Sequence, residues 1–172
     1  MKGTIVKCME ELVVQKFGDA KWKECLKKAG LPESRTFTIL SDVDDTKVRA
    51  IINSVARVLF LPMDEVLDHF GEYWSCVYAP RVYAAYYAGA HSARDLLLNL
   101  DHIHDVMTKS AKLATPPRFG YEWRGHQLLI MHYQSSRGFI DLIPGLIRGV
   151  GKYYNENLRV RIVDNAVYVY FP

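Results

Sequence analysis

The spacing of apolar residues changes once along this chain, at Pro116–Pro117, and that change limits the folds open to it. Before the prolines, apolar residues recur every three to four positions, the period of amphipathic helices. After them they mostly alternate, the period of half-buried strands. The second part reads strand–strand–helix–strand–strand with short turns. Short turns allow only antiparallel hairpins, because parallel strands need long crossovers. The expected fold class is therefore α+β. A helical N-terminal subdomain, about residues 1–61, packs on a helix and four-stranded antiparallel sheet in residues 62–172. The 172 residues form one domain.

In the helical part, residues 2–16 carry Ile5, Val6, Met9, Leu12 and Val13 in a stripe that Phe17 closes. Gly18 stops this helix, and Asp19 caps a second that runs to Gly30. A polar connection follows. A helix over 45–61 turns Val48, Ile51, Ile52, Val55, Val58 and Leu59 inward. Pro62 opens the next helix and Pro80 breaks it. A short tyrosine-rich helix precedes a long one capped by Ser92 and reaching about residue 112. Strands at 118–124 and 127–135 flank a turn at Arg124–Gly125. A helix at 138–154 is kinked by Pro144, and GVGK at 149–152 reads as its C-cap. The last hairpin turns at Asp164–Asn165.

Composition removes several function classes. Lys and Arg total 22 against 19 Asp and Glu, a net +3, too slight to call for nucleic acid. Cys8, Cys25 and Cys76 form neither a CxxC nor a disulfide framework, which points to a reduced, cytoplasmic setting. Glu10 and Glu11 interrupt any signal segment, and no apolar run approaches the ~18 residues of a membrane span. No nucleophile elbow, phosphate loop or zinc-protease motif is present, so an enzyme is not expected. Asp42, Asp44 and Asp45 lack the spacing of a calcium loop and suit a helix N-terminus.

Two constellations remain. On the long helix Leu97, Leu100, His104, Met107 and Ala111 share one face, whereas His102 lies about 200° away from His104. A histidine in an apolar stripe is either a core residue held by a backbone partner or a neutral imidazole presented to a metal. A single histidine does not satisfy zinc, which takes about four ligands, but it does satisfy haem iron. Tyr133, Ser135 and Arg137 end the second strand. They are either scattered polar residues or a grip for an anionic group. Taken together, the two sets fit a ligand with an apolar body and carboxylate handles.

The segments MKGTIV, LDHIHDVM, ATPPR and YQSSR, in that order, resemble the haem nitric oxide/oxygen-binding (H-NOX) family, which includes the haem domain of soluble guanylate cyclase. The resemblance covers essentially the whole chain. It implies haem b between the two subdomains, with His104 as proximal iron ligand and Tyr133, Ser135 and Arg137 on the propionates. It also implies that Asp45 pairs with Arg137, and that Ile5 and Pro117 press on the porphyrin. Oxygen-binding members hold dioxygen with a tyrosine, a tryptophan and an asparagine. The matching positions here are Leu142, Met9 and Trp74, with Tyr78 one helical turn beyond Trp74 and Leu146 one turn beyond Leu142.

The resemblance thus implies a gas sensor that binds nitric oxide and carbon monoxide, excludes dioxygen, and signals when ligation weakens the iron–histidine bond. The expected partner is a histidine kinase or a cyclic-di-nucleotide enzyme. A chain of this length leaves no room for an output module, so the signal is expected to reach another chain or a removed neighbour. Alternatives are an oxygen-binding member of the family, a haem or other tetrapyrrole carrier or redox protein, and a fatty-acid binder. A peroxidase-like enzyme would need a distal acid–base pair that Met9, Leu142 and Leu146 do not supply.

Overall fold

The computed structural model describes residues 3–110 and 115–172, without the side chains of Thr108 and Ser110; the expectations at residue 2, Ala111 and residue 112 lie outside it. The chain divides into two compact units between Phe70 and Gly71.

In the first unit, α1 (Gly3–Phe17), α2 (Asp19–Lys28) and α3 (Asp45–Leu59) bury their apolar stripes, with Met9, Leu26 and Ile51 almost wholly enclosed. Phe17, expected inside, is 45% exposed. It sits in the last turn of α1, where the stripe runs off the packed face. Gly18, with φ of 88°, is the N-cap of α2, and Asp19 is its first residue rather than its cap. Asp44 caps α3 by accepting the Thr46 N–H at 2.8 Å. The acidic run thus acts as a helix start. Pro62 precedes α4 (Met63–Tyr73) and accepts the Val66 N–H at 3.1 Å.

Two proline expectations are corrected. Pro80 does not break the chain. A π-helical turn, Trp74–Tyr78, follows α4, and Pro80 lies in the first turn of α5 (Ala79–Val82). The wider π turn, closed by Ala79 N–H on Trp74 O, makes room for the ring and shifts the ladder past its missing N–H. The helical run ends at Tyr83, before α6 (Ala84–Ala88). Pro144 likewise kinks nothing. A 3₁₀ turn, Ile140–Leu142, leads into α8 (Ile143–Tyr153), and Pro144 occupies its first turn, where no N–H partner is needed.

The second unit contains α7 (Ala93–Ser110), α8 and an antiparallel sheet of β1 (Arg118–Arg124), β2 (Leu128–Gln134), β3 (Arg159–Val163) and β4 (Ala166–Tyr170) in the order β1-β2-β4-β3. Ser92 caps α7 by accepting the Asp95 N–H at 3.1 Å. Leu129, Met131, Val167 and Val169 project from one sheet face and join Leu97, Ile147 and Val150 in one core. The expected fold class is the observed one.

GVGK is not a C-cap. Gly149 and Gly151 lie inside α8. A β-carbon on Gly149 would fall 2.3 Å from Gly71 O, and one on Gly71 would fall 2.0 Å from the Gly145 carbonyl carbon. These glycines let two helices cross backbone to backbone. Ser75 Oγ donates to Leu146 O at 3.0 Å, and Lys152 Nζ pairs with Glu72 at 2.6 Å across the same crossing. Gly149→Ala must separate backbones rather than rotate a side chain. We expect a loss of roughly 1–3 kcal/mol, read as a lower urea midpoint with an unchanged slope.

Candidate functional site

The stripe on α7 places His104 against the core of the second unit. Its ring lies 6.0 Å from Phe119, which lies 6.0 Å edge-on from Tyr133. Burial pushes the imidazole below its ordinary range, while a hydrogen bond to Pro117 and the charge of Asp101 oppose that shift. His104 Nδ1 lies 2.8 Å from the Pro117 carbonyl oxygen, which can only accept, so Nδ1 carries the proton. In the neutral ring the lone pair then belongs to Nε2. A neutral imidazole with one nitrogen anchored and the other basic is the donor set of an axial haem ligand. Among the described residues no group of three or more metal-binding side chains forms.

Three residues that sequence reasoning passed over hold this geometry. Arg118 makes a two-pronged bond to Asp101, at 2.7 Å through both Nε and Nη2, and reaches Asp105 at 3.3 Å. Asp101 also accepts the Phe119 N–H at 2.8 Å. The start of β1 is thereby tied to α7 at Pro117 and at the two residues that follow it. The signal was present in the sequence: Asp101 stands one helical turn before His104, and Arg118 directly follows Pro117. Tyr121 adds a further tie, donating to Leu97 O at 2.9 Å, and burial raises its phenol to about 12.

Tyr133 is buried at the end of β2, and its hydroxyl accepts the Phe139 N–H at 3.2 Å. Ser135 and Arg137 follow the strand, with Ser135 Oγ accepting the Arg137 N–H at 3.2 Å. The three residues are thus one folded corner. Trp74 stacks on Tyr78, ring centroids 5.4 Å apart, within the π turn. Tyr78 is 1% exposed, and the Arg81 guanidinium lies 5.3 Å from its ring. Leu142 is buried in the 3₁₀ turn, and Leu146 is half-buried on α8 beside Ser75. In the first unit, Met9 is buried on α1, Ile5 is half-buried one turn earlier, and Asp45 is the first residue of α3.

Arg118 holds the Asp101 carboxyl down at about 2, from an ordinary 3.8. A depressed carboxylate stabilises the fold above its unfolded value and loses that contribution as pH falls through the folded one. Arg118→Gln should therefore be less stable than the parent above about pH 3.8, with the gap closing near pH 2. Urea melts between pH 2 and 7 check this.

Comparison with known proteins gives a consistent picture. A family model described as Haem-NO-binding matches residues 2–162. Soluble guanylate cyclase gcy-37 of Caenorhabditis elegans is 29% identical over 145 residues, covering 82% of this chain and 20% of that protein. Soluble guanylate cyclase gcy-34 of the same organism is 25% identical over 158 residues, covering 88% and 23%. The chain thus spans about a fifth of the length of these relatives. Among solved structures, a Cs H-NOX mutant with 4-cyano-L-phenylalanine at site 5 superposes with a TM-score of 0.85 at 29% identity, covering 99% of this chain and 96% of that one. An oxygen-binding H-NOX domain related to soluble guanylate cyclases, in its oxygen complex, gives 0.80 at 29% identity, covering 99% and 95%. The I5F mutant of T. tengcongensis H-NOX gives 0.81 at 28%, covering 99% and 97%.

Proposed function

This chain belongs to the Haem-NO-binding, or H-NOX, family of haem-based gas sensors, and we propose that it binds nitric oxide and carbon monoxide at ferrous haem b while excluding dioxygen. The observation that carries this reading is the His104 imidazole, half-buried, pushed toward its neutral form by desolvation and proton-anchored on the Pro117 carbonyl. Haem supplies the iron at which a diatomic gas binds. His104 Nε2 is the group that would hold the iron from one side, and Tyr133, Ser135 and Arg137 are those that would hold the propionates. The corner that contains them has the hydroxyls and guanidinium such a task requires.

Selectivity follows from side-chain chemistry. Dioxygen gains on binding from a hydrogen-bond donor far more than nitric oxide or carbon monoxide do. Met9, Leu142 and Leu146 offer no N–H or O–H. One net hydrogen bond is worth about 1 kcal/mol, and more where water is excluded. A second reading, an oxygen-binding member, has one observation in its favour: Tyr78 buries a hydroxyl and stacks on Trp74, whose indole is also a donor. Absorption spectra of the reduced protein separate the two. We expect shifted Soret bands with nitric oxide and with carbon monoxide and none in air; a stable air-induced shift, abolished in Tyr78→Phe, would establish the second reading instead.

The proposed output is a change between two packings of the domain, passed to a signalling partner such as a histidine kinase or a cyclic-nucleotide or cyclic-di-nucleotide enzyme in a cytoplasmic setting. A ligand drives such a change only by favouring one packing over the other. No helix among the described residues is long and apolar enough to cross a membrane. His104→Gly should remove the protein's bond to iron, and with it the ligand-dependent change in protease sensitivity. An unaltered histidine-ligated spectrum in that variant would overturn the assignment and make His102 the next residue to replace.

A further inference from the structure

The outer face of the sheet carries a feature that gas binding does not use. On β3, Val160 and Ile162 pack into the core, so Arg159 and Arg161 project from the opposite face, and both are exposed. Their partners in register on β4 are Tyr170 and Tyr168. The Arg159 guanidinium lies 5.7 Å from the Tyr170 ring, and that of Arg161 lies 5.4 Å from both the Tyr168 and Tyr170 rings. These are cation–π distances, and they set both planar forks in place before any partner arrives. Neither arginine has a carboxylate partner among the described residues. On β1 and β2 the same face is neutralised, since Glu122 pairs with Arg124 at 3.0 Å and with His132 at 3.4 Å. Among the described residues the uncompensated charge of this face is therefore concentrated on β3, one of the two edge strands of the sheet.

We propose that this edge docks an acidic, extended segment of a partner protein, added beside β3 as a further strand. An edge strand presents a row of ladder groups to a new strand. Residues two apart on a strand are separated by about 6.7 Å. Carboxylates at alternate positions of the incoming segment thus repeat at the spacing of Arg159 and Arg161. A second copy of this chain would bring like charges to the same place and be repelled. Single-stranded nucleic acid would need free aromatic faces for stacking, and here guanidinium groups cover them. None of the large exposed apolar side chains lies on β3 or β4 to enter a lipid surface. The inference stands apart from the haem reading, because it uses none of its residues.

The test titrates the intact, haem-loaded chain into a fluorescent heptapeptide of alternating glutamate and valine. Anisotropy reads the affinity, and amide hydrogen exchange locates the site. Binding should slow exchange within Arg159–Val163 and weaken about tenfold in Arg159→Glu/Arg161→Glu, the effect of losing two charge-assisted contacts. If that reversal does not fold, Arg159→Gln/Arg161→Gln should still lose several-fold while keeping the parental melting temperature. Equal binding of a glutamine–valine peptide, an unchanged affinity in the glutamine variant, or protection elsewhere on the sheet would overturn the proposal. Stronger binding to phosphatidylglycerol vesicles or to a single-stranded oligonucleotide would also overturn it and reassign the surface.

Discussion

The Pro117 carbonyl accepts the Nδ1 proton of His104 at 2.8 Å, and this bond decides both what the histidine is and where the sheet begins. A half-buried imidazole without that acceptor could carry its proton on either nitrogen. With it, the ring has one orientation and one tautomer, and its basic nitrogen is the other one. The same bond fastens the residue before β1 to α7. Asp101 and Arg118 close the link from the other side, with the Phe119 N–H drawn into the same carboxylate. Strand, helix and the proposed ligand residue thus share one polar joint beside an otherwise apolar core.

A second joint works by absence of side chains. Gly71, Gly145 and Gly149 bring the end of α4 and the body of α8 so close that a β-carbon would collide with backbone. Contact of this kind has few intermediate settings, because backbone atoms cannot rotate away as side chains do. The π turn that follows carries Trp74 and Tyr78, and it is fastened to α8 through Ser75 and Cys76, whose Sγ donates to Gly149 O at 3.5 Å. The segment that bears two of the proposed pocket residues is therefore anchored to a crossing with two backbones in van der Waals contact.

Much of this is legible in the amino-acid sequence. The helix and strand segments follow the apolar period, and the caps Ser92 and Asp44 carry the side-chain oxygens that caps require. His104 stands out by its helical face and Tyr133 by its place at the end of the second strand. The misreadings share a cause. Pro80, Pro144 and GVGK were interpreted by local rules: proline breaks a helix, and glycine ends one. A π turn made room for Pro80, a 3₁₀ turn moved the helix start to Pro144, and a neighbouring helix claimed Gly149. Phe17 carried the right period but lay past the end of the packed face.

By itself the sequence determined the class of fold, the order of its elements and the residue types available for an apolar ligand with anionic handles. It did so because period, turn chemistry and capping act over a few residues. Only tertiary structure decided that Pro117 offers a carbonyl to His104, that Arg118 clasps Asp101, and that glycines inside α8 admit another helix. It also decided that two arginines lie on tyrosine faces at one edge of the sheet. Each of these joins residues far apart in the chain, and no local preference encodes which distant group will arrive.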